Sequence, residues 1–201
     1  MGLLSKIMFW RRRGPVVPVV RLSGVISQSG SLGRRGLSLE SVEPQLKKAF
    51  SIKRAKAVAI IINSPGGSPV QSSLIGQRIR DLANRADVPV LAFCEDVAAS
   101  GGYWLAASAD EIFADPASII GSIGVVSAGF GFDKAIKKIG VDRRVHTAGE
   151  SKMILDPFQP EQTEEVVRLK ALQAEIHAQF IACLLYTSDA ADDSLRVDLG
   201  G

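Results

Sequence analysis

The chain has 201 residues, a length that allows one domain with a sizeable core. Its 46% hydrophobic and 22% charged residues exclude whole-chain disorder and coiled coil. A net charge of +3, with no dense basic patch interleaved with aromatics, argues against a nucleic-acid partner.

Two cysteines, Cys94 and Cys183, make no disulfide framework and no metal-ligand spacing, so no metal or other cofactor is expected. Cys94 lies in an apolar run and reads as a small core residue. The opening "MGLLSKIMFWRRRG" has too short an apolar stretch for a signal peptide, and its charges mostly follow that stretch. Nothing approaches the length of a membrane span. The expectation is a cytoplasmic chain. Its basic cluster, Lys6 with Arg11–Arg13, reads as part of a solvated leader over residues 1–15. Contact with an anionic membrane surface, peripheral to the inner membrane, is the sharper alternative.

In chain order, residues 16–26 are β-branched and predict a strand, with Pro18 marking an edge at its start. Residues 27–36 are rich in glycine and serine and predict a flexible loop. Residues 38–55 have helical spacing, with Leu39, Val42, Leu46 and Phe50 apolar and Pro44 placed in the first turn. The run 57–63, "AVAIIIN", suits a strand covered on both faces. After the tight turn "SPGGS", residues 70–86 predict a helix with Leu74, Ile75, Ile79 and Leu82 inward. Residues 88–93 predict a strand, 101–109 a helix and 111–114 a short strand. The glycine-rich stretch 121–131 has a β-like centre; 134–139 predicts a helix and 142–146 a strand. Residues 160–180 predict a long helix with Val166, Val167, Leu169, Leu172 and Ile176 apolar. Strands alternating with helices, with no internal repeat, predict an α/β fold with a largely parallel sheet.

Two glycine turns follow apolar strands, "NSPGGS" and "ASGGYW". The junction of strand, turn and helix is where α/β proteins place ligands. Neither turn has the spacing of a phosphate-binding loop or a dinucleotide site. Ser100 stands among small residues just before a predicted helix, which suits either buried filler or a nucleophile. Glycine amides beside it can face a developing oxyanion with no Cβ in the way, which makes Gly66, Gly67 and Gly101 candidates. A nucleophilic serine needs a base. His146, at the end of a predicted strand, and His177, on the terminal helix, are the two histidines, and no acid is clearly placed to orient either. The other route is a lysine desolvated so that its amine is neutral and basic. Lys152, in "TAGESKMILDPF", sits in a small-residue loop between apolar stretches, although any single lysine is by default a solvated surface charge. On local sequence both routes stay open.

The segments "INSPGGS", "DVAASGGYWLAASADEIFADP", "IIGSIGV" and "TAGESKMILDPF", in this order, resemble the signal peptide peptidase A family of serine peptidases, over about residues 16–180. The resemblance implies the ClpP/crotonase fold, a superhelix of repeated β-β-α units with a mostly parallel sheet. It implies a Ser–Lys dyad, with Ser100 as nucleophile and Lys152 as general base. It implies Gly67 as an oxyanion-hole glycine partnered by the Gly101 amide, with Gly66 and Ser122 lining the site. It further implies peptide substrates, including remnant signal peptides. Single-domain members form homo-oligomeric rings in which serine and lysine come from neighbouring protomers. Many members carry an N-terminal membrane anchor, and none is seen in this sequence. Two rival readings are a non-catalytic peptide-binding scaffold or inactive fragment of the same fold, and a crotonase-like acyl-CoA enzyme. Neither needs Ser100 together with Lys152.

Residues 183–201, "CLLYTSDAADDSLRVDLGG", break the helical period and resemble the translation of a sequencing adapter. The natural sequence is therefore expected to leave this chain near Ala182. The predicted organisation is a leader at 1–15, an incomplete peptidase domain at 16–182 and a foreign tail at 183–201.

Overall fold

A computed structural model of the chain describes residues 14–28, 36–149 and 152–191, with side chains as far as Leu184. The basic leader with Lys6 and Arg11–Arg13, residues 29–35 of the predicted loop, and the tail from 192 onward lie outside the described residues. The chain forms two compact units. One holds the described residues up to Ile123 together with those from Ile181; the other is Gly124–Phe180.

The first unit alternates strand and helix as its hydrophobic periods dictate. Its elements are β1 (Val19–Ser23), α1 (Leu39–Phe50), β2 (Val58–Ser64), α2 (Pro69–Ala86), β3 (Val90–Ala99), α3 (Gly101–Ala106), β4 (Glu111–Ala114) and β5 (Ile119–Gly121). The strands pair in the order β1-β2-β3-β4, with β5 also on β3, and every pairing is parallel. This is an α/β fold built on a parallel sheet.

One face of the sheet carries the core. Leu22, Val58, Ile60, Ile62 and Val90 point inward and are fully buried, as are Leu46 of α1, Ile75 and Ile79 of α2, and Leu105 of α3. Each such side chain contributes about 1.5–3 kcal/mol by leaving water. The opposite face is open. Val19 is 61% exposed and Phe93 38%, and Phe93 stacks on Phe113, its register partner on β4, at 5.0 Å. Val58, Ala59 and Ile60 are all buried, so the expectation that β2 is covered on both faces is corrected only for its second half, where Ile61 and Asn63 are half-buried while Ile62 and Ser64 are buried.

Several boundaries move for identifiable reasons. β3 runs to Ala99 rather than Phe93, because its second half gains its own parallel partner: β4 pairs Leu91–Cys94 and β5 pairs Val97–Ala99. The strand therefore delivers the chain directly to Ser100. Pro44 is the sixth residue of α1, beyond the first turn. That helix is anchored instead by Ser38, whose hydroxyl accepts from the Ser41 amide while the Ser41 hydroxyl accepts from the Ser38 amide. Leu74 is 39% exposed rather than inward. The buried stripe of α2 is Ser72, Ile75, Gly76, Ile79 and Ala83, in which small residues permit close helix packing and hydrophobicity alone misleads.

In the second unit, α4 (Asp133–Lys138) appears where a helix is expected. The strand expected at 142–146 and the β-like centre of 121–131 do not form; beyond Gly121 these residues have no regular strand structure. The long helix α5 (Thr163–Ala191) begins in this unit and continues past residue 180, through a stretch that contains good helix formers. A small aromatic cluster organises the preceding loop: Phe132 lies 6.1 Å from Phe130 and 5.6 Å from Phe158. The Arg143 guanidinium sits 4.9 Å from the Phe158 ring centroid and pairs with Asp156, holding that carboxyl below its usual range.

Candidate active site

The site is built where two strand-to-helix junctions of the first unit meet. Ser100 is the single residue between β3 and α3. Its backbone has φ 52° and ψ −121°, a conformation that L-residues avoid at a penalty of about 1–3 kcal/mol. Two hydrogen bonds hold it. The Ser100 amide donates to the Gly121 carbonyl at 2.7 Å, and the Trp104 amide donates to the Ser100 carbonyl at 3.0 Å. The effect is to lift a half-buried serine side chain out of the end of a strand whose preceding residues, Ala98 and Ala99, are buried. Its hydroxyl makes no capping bond to α3.

The residues that follow must be glycine. A Cβ at Gly101 would stand 2.2 Å from the Ser72 hydroxyl, and one at Gly102 would stand 2.4 Å from the Ser64 carbonyl oxygen. Close packing thus fixes the first turn of α3 against β2 and α2.

The second junction, Gly66–Gly67 between β2 and α2, is packed onto the first. A Cβ on Gly66 would lie 2.8 Å from the Ser100 Cβ and equally 2.8 Å from the Gly101 nitrogen. Both glycines have positive φ, 93° and 144°, and a Cβ on Gly67 would fall 2.1 Å from the Ile26 carbonyl oxygen. Gly66 is buried whereas Gly67 is exposed. Among the described residues neither the Gly67 amide nor the Gly101 amide has an acceptor. Two unclaimed N–H groups, one next to Ser100 in the chain and one next to the Gly66 that packs on Ser100, have the chemistry of an oxyanion hole.

Ser122 follows the carbonyl that anchors Ser100, is exposed, and has φ 55°. The first unit therefore brings together Ser100, Gly66, Gly67, Gly101 and Ser122. Lys152 belongs to the second unit, on an irregular exposed segment. The two residues before it, Glu150 and Ser151, lie outside the described residues. His146 is exposed on an irregular segment and His177 is half-buried on α5. Among the described residues no cluster of three or more metal-ligating side chains occurs.

Ser64 escaped the sequence reading. It is fully buried, its hydroxyl donates to the Gly24 carbonyl at 2.7 Å, and it accepts from the Gly66 amide at 3.2 Å. The available signal was a serine ending an apolar strand immediately before a glycine turn, and that pattern does not distinguish a buried hydroxyl from a solvated one.

Comparison with known proteins identifies the family. The sequence profile of Peptidase family S49 matches residues 83–184, which include Ser100, Gly101, Ser122 and Lys152. The chain is 36% identical over 155 residues to "Serine protease SPPA, chloroplastic" of Arabidopsis thaliana, covering 74% of this chain and 23% of that protein. It is 60% identical over 182 residues to a Brucella melitensis protein called "Na(+)/H(+) antiporter NhaA", covering 90% of this chain but 25% of that protein. None of the described helices is long and apolar enough to cross a membrane. A solved mutant of the 1510-N membrane-bound stomatin-specific protease is 21% identical with a TM-score of 0.40, covering 58% of this chain and 53% of that one. The chain spans about a quarter of the length of the two curated relatives named here.

Proposed function

Because the chain belongs to peptidase family S49, a family of serine peptidases, we propose that it hydrolyses peptide bonds with Ser100 as nucleophile and Lys152 as general base. The observation that carries the reading is the conformation of Ser100, held at positive φ directly against the Gly66–Gly67 turn. A filler serine needs neither that backbone nor two open amides beside it.

In this reading the Lys152 amine takes the proton of the Ser100 hydroxyl as Oγ attacks the scissile carbonyl carbon. The Gly67 and Gly101 amides donate to the oxyanion. The tetrahedral intermediate collapses with cleavage of the C–N bond, and the Lys152 ammonium returns the proton to the departing amine. Water then attacks the acyl-enzyme, losing its proton to Lys152, and Ser100 is released with the proton restored. In this reading the Ser122 hydroxyl holds the lysine. Substrates are peptides, including remnants of signal peptides.

We further propose that the dyad forms in a homo-oligomeric ring, with Lys152 of one protomer serving Ser100 of its neighbour. We also propose a cytoplasmic chain, and its basic cluster, Lys6 and Arg11–Arg13, suits a position at the periphery of the inner membrane.

Labelling with a fluorophosphonate probe, read by intact mass and peptide mapping, tests the reading. An adduct on Ser100 that disappears in Ser100→Ala and in Lys152→Ala is expected. An adduct elsewhere, or one that survives Lys152→Ala unchanged, overturns the dyad. Mixing the two inactive variants tests the ring: activity returns if the dyad is shared between protomers and stays absent if it forms within one.

A further inference from the structure

The Gly66–Gly67 turn does not hold its own shape. Both glycines occupy conformations that the chain visits freely when unfolded, so something must keep their amides aimed. The structure shows what does. The chain leaving β1 runs beside the turn and grips it at three points. The Ile26 amide donates to the Gly66 carbonyl at 2.8 Å, and the Ser68 amide donates to the Ile26 carbonyl at 2.8 Å. The third point is the Ser64 side chain. Its hydroxyl spends its one proton on the Gly24 carbonyl at 2.7 Å and offers a lone pair to the Gly66 amide at 3.2 Å. The Gly24 amide in turn donates to the Asn63 carbonyl at 2.9 Å, closing the loop between the end of β1 and the end of β2.

We propose that Ser64 is a positioning residue for the oxyanion hole. It fixes the Gly66 peptide and with it the direction of the next amide, that of Gly67. Three observations point the same way. Ser64 is 0% exposed, so its hydroxyl serves no solvent role. It makes both of its hydrogen bonds to backbone on either side of the turn. Its own carbonyl is the atom against which Gly102 packs, so one residue touches both junctions that build the site. The first two contact points are backbone atoms, which almost any sequence supplies. The third depends on a side chain with one donor and one acceptor on a short stem, and an alanine there leaves the buried Gly66 amide without its partner.

This inference rests on the peptidase reading, and its test separates the two. Steady-state hydrolysis of a peptide is compared for wild type, Ser64→Ala and Ser64→Thr. Hydrogen exchange of the segment 64–68 is measured on the same proteins, and it needs no activity. Ser64→Ala is expected to lower kcat about tenfold or more with KM changed less than about twofold, because displaced oxyanion donors act on the transition state. Exchange at 64–68 should quicken while exchange in α1 and β3 stays as in wild type. Ser64→Thr, which keeps the hydroxyl, should recover most of kcat and the slow exchange.

An unchanged kcat in Ser64→Ala overturns the inference and leaves the peptidase reading standing. A KM effect alone, or faster exchange throughout the protein, also overturns it, since a merely structural serine would act that way. A wild-type protein with no acylation of Ser100 sinks the peptidase reading instead. The exchange result then decides by itself whether Ser64 holds the turn.

Discussion

The two compact units differ in how their apolar residues are used. In the first, the buried hydrophobic residues run from Val20 to Ala109 and close around one face of the sheet. In the second, Val126 is 88% exposed, Phe130 80% and Ile139 73%. The candidate nucleophile stands on the first and the candidate base on the second. The strained backbone of Ser100 is sustainable because its neighbours are over-determined by packing: Ala98, Ala99, Gly101 and Gly102 are all buried. Lys152 itself is exposed on an irregular segment.

The sharpest way to break this comparison is Ser100→Ala, which should reduce peptide hydrolysis at least about 10³-fold while leaving the melting temperature close to wild type. Residual activity near wild type would move the chemistry elsewhere. Next is Gly67→Ala. The added methyl must enter the space of the Ile26 carbonyl at a backbone φ of 144°, so we expect a loss of about 10²-fold or more in kcat together with a lowered melting temperature. Normal kinetics for this variant would remove Gly67 from the oxyanion hole.

Stability should separate the two units. Ile75→Ala empties a site that is 0% exposed and should destabilise by about 2–5 kcal/mol in a urea titration. Phe130→Ala, at 80% exposure, should shift the same transition by less than about 0.5 kcal/mol. Similar shifts for both would mean that Phe130 is covered in solution.

The smallest effect concerns pH. Glu43 accepts from Arg78 Nε at 2.9 Å and Nη2 at 2.7 Å, and pairs with Lys47 at 2.9 Å. Its hydrogen bonds to Arg78, then Lys47, bring its pKa down from 4.5 to about 2. A depressed carboxylate stabilises the fold above its unfolded value and loses that contribution as pH falls toward the folded one. The window is therefore between about 4.5 and about 2. Because the pair is partly solvated, the contribution should be below about 1 kcal/mol. Glu43→Gln should flatten the decline of unfolding free energy over that window; an identical slope in both proteins would show the pair to be idle.

Much of the site was legible in the residues because its demands are local. A serine between alanines and glycines at a strand end, and a second glycine pair after another apolar strand, mark Ser100, Gly66, Gly67 and Gly101 as places where backbone must approach backbone. Side-chain periodicity likewise placed α1, α2 and the short β4. Other features were decided only in three dimensions. β3 is long because β5 arrives beside its second half, a partner that no pattern within "CEDVAAS" announces. Leu74 faces outward because α2 packs through Ser72 and Gly76, where closeness of helices outweighs side-chain size. The continuously apolar β2 gave no period from which to learn that one sheet face stays open. Ser64 shows the difference most plainly. In sequence it is one polar residue in a turn; in the fold it joins the ends of β1 and β2, because its partner Gly24 lies forty residues earlier in the chain and meets it only when the sheet has formed.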